Sequence, residues 1–517
     1  MKKTLIALVV ALVLCLSSVS GMACTAIYVG SNLTSDNSTL FARSEDISNS
    51  YNKLFYCAPA GQHKAGEVYT GCYGFTYTFT KDSYSYTAFS DDNGVGVEFY
   101  CPDCGSTHAH TPYQAGGTNE MGLSVSATET LHASDAVTEA DPYNWETGIE
   151  EAEIPTVLLS ECATAKEAVL LLTSIYDTVG CQGGSGIFIG DHSETWYIEN
   201  TTGSAYIALK LTPDMAFAVP NQSVIGLIDL DDTENVIASA NLIEVAKTAG
   251  TFVGDEEANT IDYLASYNAD QVANGRMISA MAHFNAEATA ELTFADYAIS
   301  NVDAEGNVVP MYTNIALDRV FTVQDIIDYY DIDGIGSTGN LEIHIFQTYK
   351  QDDVVDTIEW VAMDNGCYSV FVPYFPMLTT DTYAAYQLST APATFSQEEP
   401  TEGLYYPTTA RIRNEAGERV TVEGFKSFPE NWADSFYWTF DALSNLCLTG
   451  ATEEEILNVE ATLAKLQSDC FDALETLKLE VAAAENNEAA AAIATEISMN
   501  TAAAVHAAAV ELVNGLK

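Results

Sequence analysis

The residue best suited to nucleophilic chemistry near the start of the chain is Cys24, preceded by Gly21-Met22-Ala23. A cysteine that becomes the first residue of a chain carries both a thiol and a free α-amine. That amine titrates at about 8 when unperturbed, so it can take the thiol proton without a histidine. Arg43 and Asp46 follow, 19 and 22 residues later, within Arg43-Ser-Glu-Asp46. A guanidinium near the sulfur biases it toward thiolate, and a carboxylate can accept hydrogen bonds from the ammonium or a substrate. If no turn returns them to Cys24, the pair is an ordinary exposed ion pair that stabilises little. A second cluster, Cys101-Pro-Asp-Cys104 with His108 and His110, has residue types that bind zinc. However, His108 and His110 on a strand would share one face, so a disulfide or free-thiol loop is the plainer reading. Neither a metal nor a cofactor is expected in the reaction.

Whether Cys24 becomes a first residue depends on what precedes it. Lys2 and Lys3 are followed by an apolar run from Leu5 to Leu16, broken only by Cys15, and then by small and polar residues through Ala23. That order is a secretory signal over residues 1–23. The run is short for a bilayer span, and no later stretch of about 18 apolar residues occurs, so no membrane span is expected. Lipidation of Cys24 is the lesser alternative, because Gly21 stands where that signal wants a large aliphatic residue. The mature protein is therefore expected to be secreted, extracellular or associated with the cell surface.

The chain has 73 acidic and 19 basic side chains, a formal charge of −54. Such a field repels nucleic acid and anionic membranes, which excludes both as natural partners. Solubility outside the cell, or a salt-adapted source, accounts for the acidity without reference to the reaction. Eleven cysteines occur and ten follow residue 23. With Cys24 as nucleophile nine remain, so they cannot all pair, and their connectivity is not legible.

Strand and helix signals alternate without an internal repeat. Residues 25–30 and 39–43 read as two strands around the polar turn Ser31 to Ser38. Leu123 to Ala127, Ile187 to Ile189 and Trp196 to Ile198 read as buried strands. Thr164 with Glu167, and Thr322 with Asp325, read as helix starts. This mixture predicts an α+β layered fold. Thr452-Glu-Glu-Glu455 opens an amphipathic helix whose stripe runs from Ile456 to Val481. A polar break at Glu485-Asn486-Asn487 then precedes an alanine-rich helix up to Leu516. The stripe suits an arm that docks a second copy in a homo-oligomer, or a helical hairpin packed on the body; the hairpin is the expectation.

Cys24-Thr25, the short strand, Asp36 and Arg43-x-x-Asp46 resemble the start of the N-terminal-nucleophile cysteine dipeptidases, the family of dipeptidase A and the secernins. Gly117-Thr-Asn119-Glu120-Met-Gly122-Leu123 with Ser126-Ala-Thr128-Glu129-Thr130 looks like that family's Asn-Glu-x-Gly segment. Asp191-x-x-Glu194-x-Trp196-x-x-Glu199 and Pro220-Asn221-Gln222 resemble its later segments. So do Glu342-Ile-His-Ile-Phe346, Val372-Pro373-Tyr374 and Ser435-Phe-Tyr-Trp438. The likeness covers about residues 24–447, leaving 448–517 as a helical C-terminal extension.

The resemblance implies a four-layer αββα sandwich of the N-terminal-nucleophile hydrolase type. It also implies metal-independent hydrolysis of dipeptides through a thioester on Cys24, with Arg43 and Asp46 orienting the nucleophile and Asn221 holding the oxyanion. By the same likeness Asn119, Thr128 and Glu129 are candidates for the second oxyanion donor or for substrate binding. Glu129, being acidic, could instead bind a substrate ammonium. A late arginine is also implied, with Arg319 preferred to Arg276. Two other function classes stay open: an amidase for N-acyl amino acids or bile conjugates on the same fold, and an exported binding protein without catalysis.

Overall fold

In the computed structural model the described residues are 24–46, 52–71, 74–91, 98–100, 107–109, 113–269, 272–350, 356–413 and 419–516. The expected signal, Cys101, Cys104 and His110 lie outside them. His108 is described only as backbone of the Thr107–Ala109 strand.

The chain starts with a hairpin. Strand β1 (Thr25–Val29) returns as β2 (Thr39–Asp46), antiparallel, with Ala26 opposite Arg43. Asp36 closes the intervening turn by accepting from the Ser38 amide and hydroxyl, and Asn37 takes the left-handed conformation that asparagine tolerates. Six antiparallel strands form this sheet, in the order Ala216–Val219, β1, β2, Asn340–Thr348, Thr357–Met363, Val372–Tyr374. An eight-stranded antiparallel sheet faces it. Its order is Val236–Ala238, Tyr206–Lys210, Thr195–Asn200, Ser185–Gly190, Ser124–Thr130, Gln114–Thr118, Tyr86–Asp91, Lys53–Ala58.

Alternation along the strands sorts the side chains between layers. Tyr28 and Phe41 meet Phe188 across the gap, with ring centroids 6.3 and 6.0 Å apart. On its other face the larger sheet presents Val125, Ile187, Ile189, Trp196 and Ile198 to the helices Ile154–Glu161 and Ala165–Val179. The smaller sheet presents Trp360 outward to Phe471 of helix Glu453–Ala482. Helix, sheet, sheet, helix is thus the layer order, as the sequence led one to expect.

Helices start at all three predicted places, and two of the three caps are reciprocal. Thr322 with Asp325 and Thr452 with Glu455 form reciprocal boxes. Thr164 accepts from the Glu167 amide, but the Glu167 carboxylate turns to the Ala163 amide instead. Helices Glu453–Ala482 and Asn487–Leu516 form the expected hairpin and pack on the body. Gln467 caps a sheet edge by bonding both the amide and the carbonyl of Phe371, and the Ser498 hydroxyl donates to the Pro373 carbonyl.

The gap between the sheets also holds charge. Lys53 is buried against Glu45 and Asp91, 2.9 Å from the latter. Burial pushes Glu45 up to about 7 despite Lys53, Glu199 up to about 7 and Glu359 up to about 8. A carboxyl whose folded value is raised contributes stability fully below its unfolded value and loses it as pH rises through the folded one. The expected outcome is therefore a melting temperature that rises by a few degrees as pH falls from about 8 to about 6. Calorimetry at fixed ionic strength checks this; a melting temperature that falls over that window would mean these carboxyls ionise in the fold without penalty.

Candidate active site

Register alone assembles half of the site. Cys24 precedes β1 and lies on the same face as Ala26, which pairs with Arg43. The diagonal between them is short enough for the long arginine, and Arg43 Nη2 donates to Cys24 Sγ at 3.2 Å. On its other side β1 pairs with Ala216–Val219, Ala26 opposite Val219, so the Pro220-Asn221 loop leaves the sheet beside Cys24.

Arg43 is 1% exposed, and its Nε and Nη1 make no hydrogen bond among the described residues. Charge holds it instead. Glu129 Oε1 lies 3.8 Å from Nε, and Glu342 Oε1 lies 4.0 Å from Nη1. Glu129 reaches this place through a bulge: the register of Ser124–Thr130 against Ser185–Gly190 shifts between Ala127 and Glu129. Strict alternation would point Thr128 the way Ser124 and Ser126 point; the extra residue puts Glu129 there. Thr128 occupies the bulge, and its side chain lies outside the described residues.

Asp46 ends β2, where a second register shift sets it opposite Asn340, whose side-chain amide donates to it at 2.5 Å. Burial pushes Asp46 up to about 6, opposed by the positive charge of Arg276 and the bond from Asn340. Burial also pushes the Cys24 thiol up to about 12. Arg43 pulls it down, Glu129 and Asp46 push it up, and a bond from the Asp46 amide lowers it again. With this balance Cys24 rests as a thiol.

Of the two late arginines, the structure brings Arg276, and not the preferred Arg319, to Cys24. Arg276 Nη1 donates to the Cys24 carbonyl at 2.5 Å and to Thr25 Oγ1 at 2.6 Å. Its Nη2 donates to the Pro220 carbonyl at 3.1 Å and to Asn221 Oδ1 at 2.9 Å. Arg319 is partly exposed and pairs with Asp318 and Asp325 near His283. Sequence order could not separate the two, because only packing brings the helix Gly275–Asn285 against the Asn221 loop. A local signal did exist. Arg276 sits in the first turn of that helix, where the macrodipole disfavours a cation, and a residue that breaks a local rule is often a functional one.

Asn119 is the second correction. Its Oδ1 accepts from the Met121 and Leu123 amides, and its Nδ2 donates to the carbonyls of Leu159 and Cys162. With every group used on backbone, it ties a tight turn to the end of a helix and has nothing left for a substrate. Asn221 sits at φ 55°, its Nδ2 donating to the Thr130 carbonyl at 3.1 Å while its own amide faces Glu129 Oε2 at 3.4 Å. Among the described residues its Nδ2 makes no second hydrogen bond. Among the described residues no group of three or more His, Cys, Asp or Glu is arranged to hold a metal ion.

The sequence model of Peptidase family C69 matches residues 23–399. The chain belongs to that family. It is 29% identical over 394 residues to a probable dipeptidase B of Streptococcus pyogenes serotype M18, covering 72% of this chain and 75% of that one. It is 30% identical over 253 residues to a probable dipeptidase of Salmonella dublin, covering 48% and 54%. With a dipeptidase of Bifidobacterium longum the identity is 27% over 414 residues, covering 71% and 73%. Among solved structures, a penicillin V acylase from Agrobacterium tumefaciens is similar over 68% of this chain and 85% of its own, at 12% identity and a TM-score of 0.30. This Peptidase family C69 member is thus a hydrolase whose matched region starts one residue before Cys24 and contains every residue of the site just described.

Arg276→Met should keep the fold but lose the charge-assisted bonds to the Cys24 carbonyl and to Asn221. At about 1.5–3 kcal/mol for such a bond, turnover should fall about ten- to a hundredfold or more. Arg319→Ala, changed at the surface, should stay within about twofold of the parent. Steady-state rates of the two variants side by side check the assignment; equal losses would undo it.

Proposed function

We propose that this chain is an exported cysteine dipeptidase whose nucleophile is Cys24 and whose general base is the α-amine of Cys24. The observation that carries this reading is the grip on one residue from two sides. Arg43 touches the Cys24 sulfur while Arg276 holds the Cys24 carbonyl. A buried cation and a half-buried one, both directed at one cysteine, fix its reactive atom and its backbone, which suits an attacking group and has no use in packing. The dipeptidase names of the relatives support the substrate class.

In this mechanism a signal peptidase removes residues 1–23 and frees the amine. The amine accepts the thiol proton, and sulfur attacks the peptide carbonyl carbon. The oxyanion that forms takes a hydrogen bond from the spare Asn221 amide hydrogen. The ammonium returns the proton to the departing amine of the second residue, leaving a thioester on Cys24. Water, deprotonated by the same amine, hydrolyses the thioester and restores the thiol. Asp46 accepts hydrogen bonds from the ammonium as it forms. Glu129 receives the substrate's own ammonium: its Oε1 has no hydrogen-bond partner among the described residues, and burial raises its carboxyl well above the ordinary range. An arriving ammonium adds to the positive charge of Arg43 and Arg276 and favours the ionised carboxylate further.

Mass analysis of active mature protein should give Cys24 as the first residue, and Cys24→Ala should abolish turnover. Stable, active protein that keeps Met22-Ala23 or has a blocked cysteine would end the α-amine mechanism. Because Asp46 lies near 6, kcat/KM should fall more steeply below that value than protonation of the α-amine alone gives, and Asp46→Asn should remove the extra fall.

Free dipeptides should be hydrolysed, and N-acetylating them should remove most of the rate. A charge-assisted contact contributes about 1.5–3 kcal/mol, so Glu129→Gln should cost about ten- to a hundredfold on free dipeptides. A dipeptide, its N-acetyl form and a glycine-conjugated acyl amide, compared on one preparation, decide the substrate class. Faster turnover of the acylated compounds would make the enzyme an N-acyl amidase and remove the role given to Glu129.

A further inference from the structure

Arg43 owes its position to carboxylates that do not hydrogen-bond to it, so whatever fixes those carboxylates also fixes Arg43. Glu342 is opposite Glu45 in the register of β2, and His344 is opposite Arg43. Both Glu342 oxygens lie within bonding distance of His344 Nδ1, at 3.1 and 2.9 Å. His344 Nε2 lies 2.7 Å from Ser126 Oγ on the facing sheet. A carboxylate can only accept, so Nδ1 carries the hydrogen and donates to Glu342, while Nε2 shares a hydrogen bond with the Ser126 hydroxyl. Phe89 stacks on the ring with centroids 5.0 Å apart, and Gly116 leaves it room: a Cβ there would stand 3.3 Å from its Cε1. All three polar residues are at most 1% exposed.

Serine, histidine and glutamate in this order would suit a nucleophile, but no substrate reaches a serine sealed between two sheets. We propose instead that Ser126, His344 and Glu342 are positioning residues that hold the Arg43 guanidinium on the Cys24 sulfur. The inference rests on Cys24 being the nucleophile. Glu342 is pulled two ways, toward His344 Nδ1 and toward Arg43 Nη1 4.0 Å away. While the ring holds it, the guanidinium stays within reach of Sγ. Released, the carboxylate closes on Arg43 and draws it off the sulfur, and the thiol loses the charge that favours its thiolate.

The test uses mature protein beginning at Cys24 and follows the rate at which iodoacetamide alkylates the Cys24 peptide at pH 8, where that rate tracks the thiolate fraction, read by mass spectrometry. His344→Leu should slow alkylation about tenfold, with kcat falling in proportion and KM within about twofold. Ser126→Ala, which removes one hydroxyl, should slow it about threefold. His344→Asn, whose amide can still donate to Glu342, should recover most of the parent rate. A lowered melting temperature with an unchanged alkylation rate in both His344→Leu and Ser126→Ala would reduce the three residues to core packing. Asparagine as impaired as leucine would also overturn the proposal. If His344→Leu does not fold, Ser126→Ala decides alone. The nucleophile reading fails separately, by turnover surviving Cys24→Ala, since the alkylation rate reports on Arg43 whether or not Cys24 attacks substrate.

Discussion

A positive charge sealed between two sheets is the constraint around which this protein is arranged. Arg43 is 1% exposed, and a guanidinium removed from water must be surrounded by compensating groups or the fold cannot form. The chain supplies them from three strands: the Cys24 sulfur before β1, Glu342 from the neighbouring strand, and Glu129 from the facing sheet. Glu129 arrives only because its strand bulges, and Asp46 meets Asn340 only because β2 shifts register at its end. Each of these two irregularities stands at an acidic residue whose charge acts on the Cys24 thiol. The compensation is not one to one, since acids outnumber cations in the gap. The surplus appears as carboxyls such as Glu45 and Glu359, whose values burial pushes up to about 7 and about 8. A site rich in such groups keeps its polarity without water, which is the condition under which a weakly acidic thiol can be tuned by neighbours.

The second arginine works on backbone and loop. Asn274 begins the helix that bears Arg276 and also donates to the Pro220 carbonyl, while Gln222 bonds both the Asn274 amide and the Val272 carbonyl. Glu199 accepts from the Val224 amide just beyond. Helix start and Asn221 loop are thereby one stitched unit, and Arg276 extends it to Cys24. From the outer side, the Tyr330 hydroxyl donates to the Thr25 carbonyl, so the residue after Cys24 is held from the helix layer as well. These ties leave Cys24 little freedom.

The C-terminal hairpin lies beyond the stretch that matches the family, and its ties are to the body. Gln467 completes the hydrogen bonding of Phe371 at a sheet edge, which an exposed strand would otherwise offer to another chain. His506 lies between the hydroxyls of Thr439 and Tyr383, 3.0 and 3.3 Å away, and stacks on Phe436. The apolar stripe read from the sequence is therefore spent on this chain's own core.

The sequence by itself determined the hairpin that brings Arg43 and Asp46 back to Cys24, because strand propensity and a polar turn are local properties. It determined the mixed layers and the helix starts at Thr322 and Thr452 for the same reason. It also pointed to Asn221 and Glu129 through the likeness of short segments, without saying how either comes to Cys24. Only the tertiary structure chose Arg276 over Arg319, since the choice depends on which segment packs against the Pro220 loop. It alone turned Asn119 from a substrate ligand into a structural tie, because its four backbone partners come from two segments. The buried row of Ser126, His344 and Glu342 was equally hidden. Alternation says that alternate residues share a face, but not that the face meets another sheet bearing Ser126, and charge compensation between sheets exists only once both are in place.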